Sequence, residues 1–281
     1  MTRSILITGC STGIGHHAAH ALKARGYRVF ATARKPEDVE RLKAEGLKES
    51  LQLDLEDSQS IERAVAEVLA ATGGSLDALF NNGAYGQAGA VEDLRRDVLR
   101  RQLETNVLGW LDLTNRIIPV MRRQGHGRII QNSSVLGFVA LPFRGAYNCS
   151  KFALEGLSDT LRLELHGSGI HVVLIQPGPI ETRFRANAYA ALKAHIDTEN
   201  SFFAPQYAAA EKRLTKPGPA APFTLPAEAV TKVLIRALES PKPKARYAVT
   251  VPTHVFGFLR RILPTRALDS LLRATSRNEN R

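Results

Sequence analysis

The stretch SILITGCSTGIG, residues 4 to 15, contains a strand pattern that runs directly into a glycine-rich loop and then a helix. Gly9, Gly13 and Gly15 lie where the strand pattern gives way to the helical one. Glycine there permits a tight turn and lets a phosphate approach the backbone at the helix N-terminus. The spacing differs from the common G-x-G-x-x-G fingerprint, so a purely structural glycine turn remains an alternative. The residues predicted to hold a nucleotide are Gly9, Ser11, Thr12, Gly13, Ile14 and Gly15.

The same alternation of strand and helix patterns continues along the chain. Further strand patterns are found at residues 27–33, 50–55, 76–82, 127–134, 169–178 and 245–251. Helical patterns separate them; Ser58 is a candidate N-cap, and Pro119 is expected to bend a long helix over about residues 97–124. Nearly continuous apolar strands alternating with helices predict an α/β fold: a doubly wound, Rossmann-like parallel sheet with helices on both faces.

We interpret residues 1–281 as a single domain with two additions. Residues 183–225 are rich in alanine, proline and aromatic residues and show no strand pattern, and an insertion of this length is typical of a substrate lid. Residues 252–281 form a basic, amphipathic C-terminal extension that Pro264 interrupts.

Composition favours a globular protein. The chain is 44% hydrophobic and 23% charged, and it contains no uninterrupted apolar run of the length that crosses a membrane. The N-terminus enters the first strand pattern without a secretory signal. Cys10 and Cys149 are not spaced as metal ligands, and no metal site is predicted. We therefore expect a cytoplasmic protein in a reducing compartment.

The formal net charge is +11, and residues 241–281 carry much of it, with nine Lys or Arg against two acids. Such an excess attracts phosphate, anionic lipid or nucleic acid, or simply keeps a tail solvated. No nucleic-acid-binding motif accompanies the charge, so nucleic acid is not an expected partner. The amphipathic extension is compatible with weak peripheral contact with a membrane or with a packed, oligomer-forming tail.

The end of the second strand pattern indicates which cofactor the loop would take. An acidic residue commonly binds the adenosine ribose of NAD there, but this chain reads FATARK, with Ala33 at that place followed by Arg34. An arginine can bind the 2′-phosphate of NADP, and Ser11 can donate a further hydrogen bond, so NADP(H) is the predicted cofactor. Asp54 with Leu55, and Asn81, end the next two strand patterns and are predicted to contact the cofactor or to form local turns.

Tyr147 and Lys151 are four residues apart in a helical pattern and therefore share one helix face. A neighbouring ammonium group favours the phenolate, so we expect Lys151 to lower the pKa of Tyr147 and make it a general acid or base. Ser134 lies thirteen residues before Tyr147 and could hold a substrate oxygen.

These motifs together resemble the short-chain dehydrogenase/reductase family. Its T-G-x-x-x-G-x-G pattern matches the glycine-rich loop from Thr8, and its Y-x-x-x-K pattern matches Tyr147 and Lys151. The resemblance implies that Ser134 and Asn106 are the active-site serine and asparagine, with Asn106 positioning a water. It also implies a nicotinamide contact after the sixth strand, at Pro177, Gly178, Ile180 and Thr182. The family's N-N-A-G reads NNGA here, with Gly83 and Ala84 exchanged.

The resemblance further implies what the protein does. The chain looks similar to bacterial NADP-dependent aldehyde reductases and to oestradiol and retinol dehydrogenases, which implies an apolar carbonyl or alcohol substrate and a homo-oligomer. Aromatic residues of the lid could line an apolar pocket or pack the lid down: Phe184, Tyr189, Phe202, Phe203 and Tyr207. We expect an NADP(H)-dependent oxidoreductase, the alternative being a non-catalytic NADP(H)-sensing or regulatory protein of the same fold.

Overall fold

The protein is described by a computed structural model that covers residues 2–219 and 221–279. Seven parallel strands form one sheet in the order β3-β2-β1-β4-β5-β6-β9, and β7 pairs with β8 outside it. The strands are β1 Ser4–Ile7, β2 Arg28–Ala33, β3 Leu51–Gln52, β4 Ala78–Asn81, β5 Gly127–Asn132, β6 Ile170–Gln176, β7 Ile180–Glu181, β8 Leu225–Pro226 and β9 Arg246–Ala248. The predicted doubly wound parallel sheet is confirmed.

Helices cover both faces of the sheet. They are α1 Gly13–Ala24, α2 Pro36–Ala44, α3 Ser58–Thr72, α4 Arg96–Leu103, α5 Gly109–Gln124, α6 Gly145–Glu164, α7 Phe184–His195, α8 Ala204–Thr215, α9 Ala227–Glu239, α10 Val251–Ile262 and α11 Thr265–Glu279. One apolar cluster joins the sheet to α1, α2 and α9, and a second joins it to α3, α5 and α6. Because the strands are buried on both faces, their sequences read as the continuous apolar runs seen in the chain.

Three local expectations are corrected. The N-cap of α3 is Asp57, whose carboxylate accepts from the Gln59 amide at 2.9 Å, while Ser58 is already helical. The third strand ends at Gln52, before Asp54. The long helix is interrupted by a π-helical segment at Glu104–Leu108. Pro119 lies inside helix α5, and the bend expected there stays a prediction. A π segment widens a helix by one residue and is frequent at functional sites.

The segment 183–225 is mostly helical. Helices α7 and α8 pack together through an apolar cluster that includes Leu192 and Tyr207, and Leu225 begins the two-residue strand β8. The sequence pattern did not predict these helices, because the many alanines and prolines in this stretch obscure the 3.6-residue recurrence of apolar residues.

The C-terminal extension forms the two helices α10 and α11, with Pro264 between them as predicted. Pro264 cannot donate the backbone hydrogen bond that a continuous helix needs, so it separates them. No helix among the described residues combines the length and apolar character needed to cross a membrane.

Candidate active site

A cavity of about 380 Å³ lies beyond the carboxyl ends of the parallel strands. Ligands bind at this edge in open α/β sheets, because the loops that follow successive strands meet there. Most of the predicted site residues line this cavity: Gly9, Ser11, Thr12, Gly13, Ile14, Ser134, Tyr147, Lys151, Pro177, Gly178, Ile180 and Thr182. The others, which lie outside its wall, are Gly15, Arg34, Asp54, Leu55, Asn81 and Asn106.

Ser134 and Tyr147 meet at the cavity wall through a hydrogen bond between their side chains. Ser134 begins a short 3₁₀ helix after β5, and its Oγ accepts from the Leu136 amide at 3.1 Å. That bond fixes the serine rotamer, because the hydroxyl caps the 3₁₀ turn. Tyr147 projects from the first turn of α6. The two hydroxyls are therefore held side by side, close enough to contact one substrate oxygen.

Lys151 lies one turn further along α6 and is 1% exposed. Its ammonium donates to the Asn132 carbonyl at 2.8 Å and lies 4.4 Å from the centre of the Trp110 ring. Burial lowers the pKa of Lys151 to about 7, and the nearby Glu155 carboxylate opposes this effect. Burying a lysine without a carboxylate in contact is costly, so such lysines are concentrated at functional sites.

The pKa of Tyr147 differs in direction from the expectation. Burial raises it to about 12, and the hydrogen bond with Ser134 only partly opposes the rise. Desolvation disfavours the phenolate more than the lysine, 5.6 Å from the Tyr147 ring, favours it. Tyr147 is therefore protonated at neutral pH in this structure, which is the state of a proton donor.

Asn106 lies on the π segment and is fully buried. Its amide donates to the Tyr85 carbonyl at 2.9 Å and to Ser150 Oγ at 3.1 Å, while its oxygen accepts from the Tyr85 amide at 3.2 Å. The side chain thus joins the loop after β4 to helix α6 through hydrogen bonds and does not face the cavity. That Asn106 positions a water stays a prediction.

The glycine-rich loop is shaped to bring backbone close to a ligand. A Cβ at Gly9 would lie 2.5 Å from Gly83 Cα, and Gly13 has a φ of +63° that favours glycine. Thr12 caps α1 without a side-chain hydrogen bond, and the first turn of the helix holds no acidic residue. The first amides of α1 remain available to an anion, so the loop fits a dinucleotide pyrophosphate.

Gly15 serves the packing of this loop. A Cβ there would lie 2.3 Å from the Gly9 carbonyl oxygen and 2.6 Å from Asn82 Nδ2, so only glycine fits without a backbone shift. Gly15 lies outside the cavity wall, and its direct contact with a ligand stays a prediction.

The adenosine side of the site is open and basic. Arg34 follows β2, is exposed, and its guanidinium forms no hydrogen bond or ion pair with any described residue. Asp54 is partly buried, and its carboxylate accepts from the Glu56 amide at 3.0 Å, which is the behaviour of a turn former. Leu55 is buried against the loop after β4.

Asn81 is fully buried below the cavity, where its amide donates to Thr114 and to Gln131. The neighbouring Asn82 lines the cavity instead and donates to the Thr8 carbonyl at 2.9 Å. Asn81 and Asn82 point in opposite directions because successive side chains along a strand point to opposite faces. The departure NNGA causes no strain, since neither Gly83 nor Ala84 has a positive φ.

The structure adds residues that the sequence analysis did not single out. Arg41 on α2 donates to the Ser11 carbonyl at 2.6 Å, next to the predicted phosphate site. Trp110 on α5 donates its indole N–H to the Gly83 carbonyl at 2.7 Å while its ring contacts Lys151. Both contacts join residues far apart in sequence, so no local pattern reveals them. His16 and His20 also converge on Glu45, at 2.6 and 3.0 Å; their spacing of four residues on α1 was the available indication.

One lid aromatic reaches the cavity. Phe184 lines it, and its ring centre lies 5.2 Å from that of Tyr147. Tyr207 is buried within the lid, where it donates to Asp93 at 2.6 Å. Phe203 and Tyr189 pack into the same apolar cluster, whereas Phe202 is 83% exposed. Of the two alternatives left open by the sequence, Phe184 lines the cavity, whereas Tyr189, Phe203 and Tyr207 pack within the segment 183–225.

The chain is similar to known proteins over most of its length. A family model described as short chain dehydrogenase matches residues 3–193. Oxidoreductase YbbO of Escherichia coli (strain K12) is 43% identical over 272 residues, which cover 97% of this chain and 94% of that protein. Human 17-beta-hydroxysteroid dehydrogenase type 1 is 36% identical over 262 residues, 88% of this chain and 77% of that one. The NADPH-dependent 3-dehydrocapnine reductase of Ornithobacterium rhinotracheale is 32% identical over 276 residues, 96% and 95% of the two chains.

A solved structure shows the same architecture. A short-chain dehydrogenase from Streptomyces avermitilis superposes with a TM-score of 0.75 at 27% identity, covering 98% of this chain and 97% of that one. The family model, the relatives and the solved structure therefore agree on one family. The chain belongs to the short-chain dehydrogenase/reductase family and is an NAD(P)-dependent oxidoreductase.

Proposed function

We propose that this protein is an NADP(H)-dependent reductase of apolar aldehydes or ketones. The observation that carries the proposal is the pair of hydrogen-bonded hydroxyls of Ser134 and Tyr147 at the cavity wall, with the buried ammonium of Lys151 beside them. A carbonyl oxygen that contacts both hydroxyls would be oriented and polarised at once.

Each of these side chains has a distinct role. Ser134 orients the carbonyl oxygen, and Tyr147, protonated at neutral pH, donates its proton to that oxygen as charge develops on it. Lys151 lies 5.6 Å from the Tyr147 ring and stabilises the negative charge left on the phenol oxygen. Lys151 would also bind the nicotinamide ribose. Bound NADPH supplies the hydride, which is the chemistry of the cofactor and not of the protein.

The residues around the first helix would hold the cofactor. Backbone amides of the loop from Gly9 to Gly15 would bind the pyrophosphate, and the loop from Pro177 to Thr182 would contact the nicotinamide. Thr182 packs against the glycine-rich loop, since a Cβ at Gly13 would lie 3.1 Å from Thr182 Cβ. The two loops therefore form adjacent walls of one site.

Arg34 supports NADP(H) over NAD(H). The Arg34 guanidinium has no partner among the described residues, so binding a phosphate would break no ion pair. Ala33, just before it, offers no carboxylate to the ribose. Arg41 adds a second guanidinium near Ser11. The printed name of the 3-dehydrocapnine reductase, which specifies NADPH, agrees with this choice.

The substrate class follows from the cavity wall beyond the catalytic groups. Ala84, Val135, Leu136, Leu141 and Phe184 make that part of the wall largely apolar. The name of one relative, 17-beta-hydroxysteroid dehydrogenase type 1, adds support, because a steroid is a bulky and largely apolar molecule. We therefore propose segment 183–225 as the substrate lid and an apolar carbonyl as the substrate.

Two further features belong to the proposal. The thiols of Cys10 and Cys149 are both free, and Cys149 is exposed, which supports a reducing, cytoplasmic location. Exposed leucines on the π segment, α5 and α6, among them Leu108, Leu111 and Leu157, support a homo-oligomer built on these helices. Sedimentation velocity would test the second point.

The test is a fluorescence titration with NADPH and with NADH, followed by aliphatic, aromatic and steroidal carbonyls in the same cuvette. We expect tighter binding of NADPH and oxidation of NADPH when an aldehyde or ketone is added. A non-catalytic sensor would bind NADPH but turn over no carbonyl, and no alcohol with NADP. Absence of turnover across both panels would overturn the proposal.

A further inference from the structure

The outer face of α10 carries an apolar stripe that nothing in the described structure covers. Val251, Val255, Phe258 and Ile262 are 52%, 47%, 63% and 56% exposed. At 3.6 residues per turn these four positions fall within about 60° of one another around the helix. The opposite side of α10 faces the protein, since Thr253 is buried there. We call these four side chains the α10 stripe.

The stripe is bordered by positive charge. Arg261 is exposed on α10 about 60° or more around the helix from the stripe, and Arg266 and Arg273 are exposed on the following helix α11. None of these arginines forms an ion pair with another described residue. Residues 251–279 contain five arginines and two acids, Asp269 and Glu279. An apolar stripe with a cationic border is typical of helices that lie in the interface of a membrane.

The stripe lies close to the catalytic cavity. Phe256 and Leu268, on the inner faces of the two helices, pack into one apolar cluster with Leu136 and Tyr147. Thr250, just before α10, packs against the Pro177–Gly178 loop, because a Cβ at Gly178 would lie 2.1 Å from the Thr250 Oγ1. The helices α10 and α11 thus form the outer side of the cavity wall, so what docks on them lies near the cavity.

We propose that α10 and α11 dock this protein on an anionic membrane surface. The α10 stripe enters the headgroup region, and Arg261, Arg266 and Arg273 bind lipid phosphates. Charge selects this occupant over a second copy of the chain. In a two-fold symmetric contact the arginines of each copy would face those of the other with few carboxylates between them. Docking here places the cavity beside the lipid phase, where apolar carbonyls concentrate.

The test is flotation of the full chain with vesicles of phosphatidylcholine alone or of phosphatidylcholine with 30% phosphatidylglycerol. We expect at least about tenfold tighter binding to the anionic vesicles, weakened by about 0.5 M salt because the arginine contacts are exposed. Binding needs neither cofactor nor carbonyl, so its failure says nothing about the reductase proposal.

Two matched pairs of variants locate the surface. Phe258→Ser with Ile262→Ser should lower vesicle binding at least about tenfold, while Phe202→Ser, at the more exposed phenylalanine of the lid, should leave it unchanged. Replacing Arg261, Arg266 and Arg273 by Glu should abolish binding. The same change of net charge at the exposed Arg100, Arg122 and Arg123 should not abolish it. NADPH affinity and circular dichroism of each variant report whether it folds.

The proposal is overturned if wild type does not bind anionic vesicles or if the stripe variant binds as wild type does. It is also overturned if sedimentation velocity without lipid shows that the stripe variant dissociates the wild-type assembly. That result would assign the α10 stripe to contact between copies of this chain.

Discussion

The floor of the cavity and its lid are built on different principles. The floor consists of Ser134, Tyr147 and Lys151, whose polar atoms are held by hydrogen bonds within the protein. The lid, residues 183–225, reaches the floor through the ring of Phe184 and otherwise packs on itself through Tyr207 and its neighbours. Under the proposed function, the floor would determine the reaction by residue identity, whereas the lid would select the substrate by shape.

Among the variants that leave Tyr147 in place, replacement of Lys151 by Met should have the largest effect, because it removes the charge beside Tyr147 and the group that would hold the nicotinamide ribose. We expect a loss of about 10²- to 10³-fold in kcat/KM. The measurement is steady-state NADPH oxidation with the best carbonyl of the panel. A variant that kept activity within about threefold of wild type would remove Lys151 from the floor.

The same variant also tests the difference between floor and lid through the free energy of unfolding. Among its described residues the lid contains no buried cation like Lys151. The pKa of Lys151 is lowered from 10.5 to about 7, so between these values the unfolded chain binds the extra proton. The free energy of unfolding therefore rises with pH in this window, by up to about 1.4 kcal/mol per pH unit, and the full cost of the buried charge is present below pH ~7. We expect Lys151→Met to stabilise the protein most at pH ~6 and least at pH ~10, measured by urea unfolding. An equal difference at both pH values would contradict the lowered pKa.

The proposed preference for NADP(H) is tested by Arg34→Ala. Charge-assisted hydrogen bonds to a 2′-phosphate contribute about 1.5–3 kcal/mol, so NADPH affinity should fall about 10- to 100-fold. NADH affinity should not change, because NADH lacks that phosphate. Arg63→Ala, at an exposed arginine on α3, is the control and should alter neither affinity. An equal loss of affinity for NADPH and for NADH would show that Arg34 does not bind the 2′-phosphate.

The lid should give the smallest effect and a different kinetic signature. Phe184→Ala removes the ring that packs against Tyr147 and leaves the floor intact. We expect KM for bulky apolar carbonyls to change by about three- to tenfold, with kcat nearly constant. Phe202→Ala is the matched control, since that ring is 83% exposed. If kcat fell as far as in Lys151→Met, the division between floor and lid would be wrong.

Local patterns predicted the floor well. The glycine spacing around Gly13, the four-residue spacing of Tyr147 and Lys151, and the alternation of strands and helices each reflect one element or one loop. The doubly wound sheet follows from that alternation, because parallel strands need helical crossovers.

What the sequence did not predict depends on tertiary contacts. The raised pKa of Tyr147 comes from burial by residues of several elements, which no motif encodes. Asn81 and Asn82 differ in strand register, and a register shift of one residue exchanges the buried and the cavity-facing asparagine. The lid aromatics were ambiguous because a phenylalanine that packs a helix pair and one that lines a pocket look identical in sequence.

The most direct measurement is a single-turnover reaction of the NADPH-loaded wild type and Tyr147→Phe with one aldehyde, followed by NADPH absorbance. Proton donation by Tyr147 predicts unchanged NADPH affinity in the variant and hydride transfer slowed by about 10³-fold or more. Equal rates of hydride transfer in the two proteins would contradict the central claim that Tyr147, beside Ser134 and Lys151, is the acid of an NADPH-dependent carbonyl reductase.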